Sequence, residues 1–203
     1  MITITEKEIP AERGQRLIRW TRRVLVISGV LALSYVGLIL LDATIYQKDA
    51  VLTLEKQIHA QEQHETDLPK LAVKEGDVLG RIEIPRIGVS VAVLEGTTSQ
   101  TLRHGVGHIE GTALPGEPGN IGIAGHRDTY FRGLKDIRAN DEIQIQTAAG
   151  ITRYEVDWIQ ITVPGDTGIV SPATESALTL VTCYPFHYIG AAPERFVVHA
   201  HRL

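Results

Sequence analysis

The chain has 203 residues and a formal net charge of −4, room for one domain of ordinary size plus an appendage. No basic face is evident, which argues against nucleic acid as a partner. Its single cysteine excludes an intramolecular disulfide, and nineteen glycines and nine prolines, with few long helical patterns after residue 70, point to a β-rich domain full of turns.

Residues 1–15 are polar and mixed in charge. With Arg16, Arg19, Arg22 and Arg23 they read as a cytoplasmic tail over 1–23. The run 24–41, VLVISGVLALSYVGLILL, carries no charge and has about eighteen residues, the lower edge of what spans a bilayer as a helix. Trp20 and Tyr46 suit interfacial anchors, and the arginines predict an inside N-terminus, with the rest of the chain outside the cell membrane. A cleaved signal peptide competes, but LILLDATIY offers only a poor small-residue cleavage site. A buried core helix fits less well, because every face of the run is apolar. In 42–73, Val51, Leu54 and Ile58 fall at helical spacing and the pattern fades at Gln61 and Glu65, short of the heptads a coiled coil needs. This segment reads as a helical stalk ending at Pro69, with dimerisation through it left open.

A globular domain is expected over 74–203. Strands over 79–84 and 89–94 are joined through Pro85 and Gly88. A short helix over 98–104 would take Thr97 or Thr98 as N-cap. A turn-rich stretch leads to a strand over 121–125, and FRGLKDI reads as a helical turn. Residues 141–163 are a hairpin of two alternating runs joined by Ala-Ala-Gly, and 164–176 is a loop with turn residues throughout. Two more strands follow, ALTLVTCYPF and ERFVVHAHRL. About eight short strands with little helix predict a mainly β fold, a small closed mixed β-barrel.

Cys183 falls at the C-terminal lip of its strand, because the proline of Tyr184-Pro185 cannot continue a central ladder. Alternation places Thr182 and Cys183 on opposite faces. A lone cysteine can be no more than a small buried hydrophobe. Here, however, His126 follows one strand and Arg195 opens another, and these are the parts of a thiol nucleophile site. The competing readings are a packing role for His126 and a surface ion pair with Glu194 for Arg195. Asp128 would orient His126 or, the better fit, cap the following turn. Asn120 reads as a loop-geometry residue. His104, His108 and His187 have no comparable claim. His199 and His201 alternate with apolar residues and face outward; they lack a third ligand, so no metal site is expected. Asp166 and Glu175 are too few for calcium. The glycine-rich stretch 105–125 lacks the lysine–serine pair of a phosphate loop.

TLVTC, an arginine about a dozen residues on and an upstream GHRDT histidine resemble the sortase family of membrane-anchored cysteine transpeptidases. The longer forms PGEPGNIGIAGHRDTYFRGL and TLVTCYPFHYIGAAPERFVVHAHRL are most like class D, and the similarity covers roughly residues 80–203. The resemblance implies Cys183 as nucleophile, His126 as acid/base partner and Arg195 as the cation at the developing oxyanion. It implies a groove shaped by the 164–176 loop, with Thr167, Ile169, Val170, Thr182 and Tyr184 as substrate contacts. It further implies substrates that are surface proteins with a C-terminal LPxT-G or LPxT-A sorting signal, and an amine acceptor, either a cell-wall peptide or a lysine. The chemistry requires no cofactor. A cysteine hydrolase on the same scaffold, and a tethered peptide-binding barrel without catalysis, are the alternatives.

Overall fold

The computed structural model describes residues 19–38, 73–170 and 176–203. The chain divides into two units, Met1–Thr44 and Ile45–Leu203. In the first, Arg19–Leu38 forms one helix (α1), long and apolar enough to cross a membrane, with nearly all of its side chains exposed. It starts earlier than the apolar run, because arginine is a good helix former and the helix takes in Arg19, Arg22 and Arg23. The expected end of the span at 41, Tyr46, and nearly all of the stalk over 42–73 lie outside the described residues.

The second unit holds an eight-stranded closed barrel ordered β1-β2-β3-β4-β7-β8-β6-β5. β1 (Val78–Ile84) and β2 (Val89–Glu95) pair antiparallel across a 3-10 turn at Pro85–Ile87. Gly88 closes that turn at φ 65°, a left-handed conformation that favours glycine. Arg86 on the turn bonds the Asp141 carboxylate and the Asp136 carbonyl, tying β1–β2 to the start of β5. A four-residue helix, α2 (Thr101–His104), carries the chain to β3 (Val106–His108). The helix starts three residues later than expected, with Gln100 rather than Thr97 or Thr98 before its first residue, and Thr98 Oγ1 accepts the Thr101 N–H at 3.3 Å. β3 lies in the stretch expected to be turns; three residues are too few to show alternation, and the strand exists because it pairs parallel with β2 and antiparallel with β4.

β4 (Asn120–Gly125) is followed by a 3-10 turn at Arg132–Asp136. β5 (Glu142–Thr147) and β6 (Gly150–Thr162) form the expected hairpin. β7 (Ala177–Tyr184) then pairs parallel with β4, and β8 (Glu194–Arg202) inserts between β7 and β6. Pairing of β1 with β5 closes the barrel.

The core follows the period of two. Ile121 and Ile123 from β4, Leu178 and Leu180 from β7, and Val198 and Ala200 from β8 point inward with Ile82, Ile143, Tyr154 and Phe131. The intervening residues of β4, β7 and β8 form an outward face, and that face carries the chemistry.

Candidate active site

β7 alternates so that Leu178, Leu180 and Thr182 face the core while Thr179, Val181 and Cys183 face out. Antiparallel pairing sets Cys183 directly opposite Arg195, so the two side chains share the outer face. Parallel pairing of β4 with β7 sets Gly125 opposite Thr182. His126, the next residue, therefore emerges at the level of Cys183. His126 lies 57 residues before Cys183 and 69 before Arg195, and all three are half-buried at one end of the β4–β7–β8 sheet. Cys183 is a free thiol.

The rung beneath these residues is tied by a side chain. Thr182, 2% exposed, donates from Oγ1 to the Gly125 carbonyl at 2.7 Å. It sits inside the barrel wall, on the opposite face from Cys183. A Cβ at Gly125 would lie 2.6 Å from Phe131 Cδ2, so a glycine there lets the β4 terminus seat against that buried ring. The Phe131 N–H donates to the His126 carbonyl at 3.1 Å, closing the turn after the histidine. Asp128 is exposed, and among the described residues its carboxylate makes no hydrogen bond to His126. Arg195 Nη1 donates to the carbonyls of Glu194 at 2.9 Å and Ala192 at 3.4 Å, and among the described residues it makes no ion pair with the Glu194 carboxylate.

The connection between β6 and β7 folds over the same face. Its 3-10 turn, Thr167–Val170, presents the Ile169 carbonyl to Thr179 Oγ1 at 3.3 Å and to Asn120 Nδ2 at 3.5 Å. Thr179 also donates to Asn120 Oδ1 at 2.9 Å. Asn120 thus holds loop geometry, as its sequence context suggests. Thr179 lies four residues from Cys183 on β7, roughly 13 Å along the strand, so these bonds hold the Thr167–Val170 turn against the strand that carries the thiol. Thr162, opposite Arg195 on β6, donates to Asp166 Oδ2 at 2.7 Å, and Asp166 Oδ1 accepts the Gly168 N–H at 3.2 Å. The Asp166 carboxylate is therefore a loop tether. Ile169 and Val170 are half-buried on this turn and Thr167 begins it. Tyr184 packs with Phe196 and Phe186, at centroid distances of 6.2 and 6.0 Å, at the barrel end beside Cys183. Glu175 lies outside the described residues.

Two histidine environments were not legible from the chain. His108 is 2% exposed, with Nδ1 2.8 Å from Glu95 Oε2 and Nε2 near the Ala113 carbonyl and Thr112 Oγ1. It pins the loop leading into β4 and is remote from the thiol. His199 and His201 both turn Nδ1 to the Asp157 carboxylate, at 3.0 and 2.6 Å, and His199 stacks on Trp158. Asp157 occupies an irregularity in the β6–β8 register, which is why strand alternation did not announce it. Among the described residues no group of three His, Cys, Asp or Glu side chains is arranged to hold a metal.

A half-buried thiol opposite an arginine and beside a histidine, on the rim of a closed mixed barrel, defines a cysteine-dependent acyl-transfer scaffold. The sortase domain family matches residues 82–203, and the chain belongs to the sortase family. It is 32% identical over 189 residues to Sortase D of Bacillus subtilis (strain 168), covering 88% of this chain and 96% of that one. The structure is similar to that of a Clostridium perfringens Sortase D5 transpeptidase, with a TM-score of 0.65 and 31% identity over 78% of this chain and 98% of that one. It is also similar to Clostridium perfringens sortase C with the C-terminal cell wall sorting motif, at a TM-score of 0.60 and 29% identity over 77% and 89% of the two chains. The chain is thus a sortase-fold cysteine transpeptidase most like class D.

Proposed function

We propose that this protein cleaves a C-terminal LPxT-G or LPxT-A sorting signal on a surface protein and transfers the acyl half to an amine, through a thioacyl-enzyme on Cys183. The observation that carries the reading is the register: Cys183 opposite Arg195, and Gly125 opposite Thr182 immediately before His126. Cys183 as thiolate attacks the carbonyl carbon after the signal's threonine. Arg195 donates to the oxygen as negative charge develops there. The C–N bond breaks as His126 gives its proton to the departing amine, leaving a thioester. The acceptor amine then attacks the thioester, His126 takes its proton, and the thiolate departs. The loop tether at Asn120 and Thr179 supports a peptide groove with Thr167, Ile169 and Val170 on its wall. α1 serves as a single-pass anchor, its arginines toward the cytoplasm and 42–73 linking it to an extracytoplasmic barrel over 74–203.

The test is intact mass of the detergent-solubilised chain after incubation with LPxTG and LPxTA peptides, with Cys183→Ala as control. A mass gain equal to the acyl half of one peptide, absent in the control, is expected. Added amine should convert it to an amide product, whereas a product that remains the free acid with amine present identifies a hydrolase. A Cys183→Ala protein with full transfer activity refutes the assignment.

A further inference from the structure

Arg127, next to His126, has no role in the chemistry above, and its surroundings are unusual. Its Nη2 donates to two carbonyls of the β7–β8 connection, Tyr188 at 2.8 Å and Gly190 at 3.2 Å. Its guanidinium carbon lies 5.8 Å from the centroid of the Tyr188 ring. Its Nη1 is buried without a hydrogen-bond partner. A surface arginine serving only solubility would turn both nitrogens to water or to a carboxylate. This one gives up solvent at Nη1 to reach main-chain oxygens 61 and 63 residues away.

The connection it reaches joins Cys183's strand to Arg195's strand, and the far end of that connection is gripped by Arg195 itself, through the Ala192 and Glu194 carbonyls. The loop is thus pegged by two guanidinium groups, one beside His126 and one opposite Cys183. Between the pegs few apolar side chains are buried: Ile189 is fully exposed and Tyr188 nearly half so. A segment with few buried apolar contacts is held by its hydrogen bonds.

We propose that Arg127 is a positioning residue for the transpeptidation reaction, which latches the β7–β8 connection to the His126 turn and through it sets the aim of the Arg195 guanidinium at the oxyanion. The role rests on the function proposed above for Arg195. It predicts that loss of Arg127 frees the connection, that the Ala192 carbonyl moves with it, and that Arg195 then stabilises the transition state less well. The bound peptide is untouched, so kcat falls and KM does not.

The experiment compares the full chain in detergent with Arg127→Ala and Arg127→Lys, each also in an Arg195→Lys background. Two readouts are taken: amide hydrogen exchange across residues 187–193, and steady-state transfer to an amine. Arg127→Ala is expected to exchange those amides at least about tenfold faster, as a segment released from a hydrogen-bonded anchor does. It is expected to lower kcat about tenfold or more, with KM within about twofold. Arg127→Lys, which keeps the charge and N–H donors but lacks the planar guanidinium that lies over the Tyr188 ring, should fall between. In the Arg195→Lys background, Arg127→Ala should cost little more, because both changes spoil one interaction. Equal fractional losses in the two backgrounds overturn the proposal, as does unchanged exchange at 187–193. The exchange readout needs no substrate, so failure of the function proposed above leaves the latch still decided by it. If Arg127→Ala does not fold, the Lys variant carries both readouts.

Discussion

Thr182 stands next to Cys183 in sequence and on the opposite face in the fold, so its substitution separates two readings of the residue. Valine keeps its shape and removes the donor to the Gly125 carbonyl, a 2.7 Å bond made at 2% exposure. A buried acceptor losing its partner costs about 1–3 kcal/mol. The added methyl recovers part of that, less than about 0.8 kcal/mol. The net loss is about 1–2 kcal/mol by this accounting, or a Tm lower by roughly 3–8 °C for a barrel of this size. Because the Gly125–Thr182 rung is the last before His126 and Cys183, loosening it shifts the histidine relative to the thiol. A displacement on the order of 1 Å can cost about a hundredfold in rate, so kcat should fall roughly ten- to hundredfold while KM stays within about twofold. Thr182→Ser retains the hydroxyl and should keep kcat close to that of the parent. The assay is thermal unfolding alongside steady-state transfer. The reasoning is refuted if Thr182→Val unfolds with the parent and raises KM at constant kcat, the signature of a residue that touches substrate, as the sequence reading expected of Thr182.

Gly125→Ala forces a Cβ to 2.6 Å from the fully buried Phe131 ring, so the β4 terminus or the ring must move. It should cost about 1–3 kcal/mol, as overpacking of a filled core does, and reduce transfer because His126 follows directly; unfolding within about 0.5 kcal/mol of the parent would show that the barrel end yields freely. Arg86→Met tests a pH dependence. The hydrogen bonds from Arg86 hold the Asp141 carboxyl below the usual aspartate range, and the Arg138 N–H adds to the effect. A carboxyl lowered on folding adds stability above its unfolded pKa, about 4, and that stability is lost as the pH falls through the lower folded value. Parent and Arg86→Met should therefore differ most in urea midpoint at neutral pH and converge toward pH about 3; a gap that widens on acidification contradicts the sign.

Much of the site could be read from local pattern. Alternation in ALTLVTCY is a property of the backbone, so the opposite orientations of Thr182 and Cys183 follow wherever the strand is placed. The apolar run with its arginines, the β5–β6 hairpin and the β-rich composition are equally local, and the structure carries all three. The ordered set of His126, Cys183 and Arg195 within long motifs pointed to the family before any contact was known. The sequence erred where a local rule was asked to decide a tertiary question, as when the stretch containing β3 read as turns.

Only the tertiary structure decided which strands pair and in what register. β4 reaches β7 across the whole β5–β6 hairpin, and β8 enters between β7 and β6 rather than at an edge. The β4–β7 pairing joins residues 57 positions apart and the β6–β8 pairing residues 33 to 48 apart, where no period in the chain links them. Tertiary contact likewise hid Asp157 between His199 and His201, Glu95 against His108, and the grip of Arg127 on the β7–β8 connection. A strand's own residues determine which of its side chains share a face, since that depends on its pleat alone. What each face meets depends on closing the barrel, where the gain from burying every inward side chain at once selects one register among the many that local pattern allows.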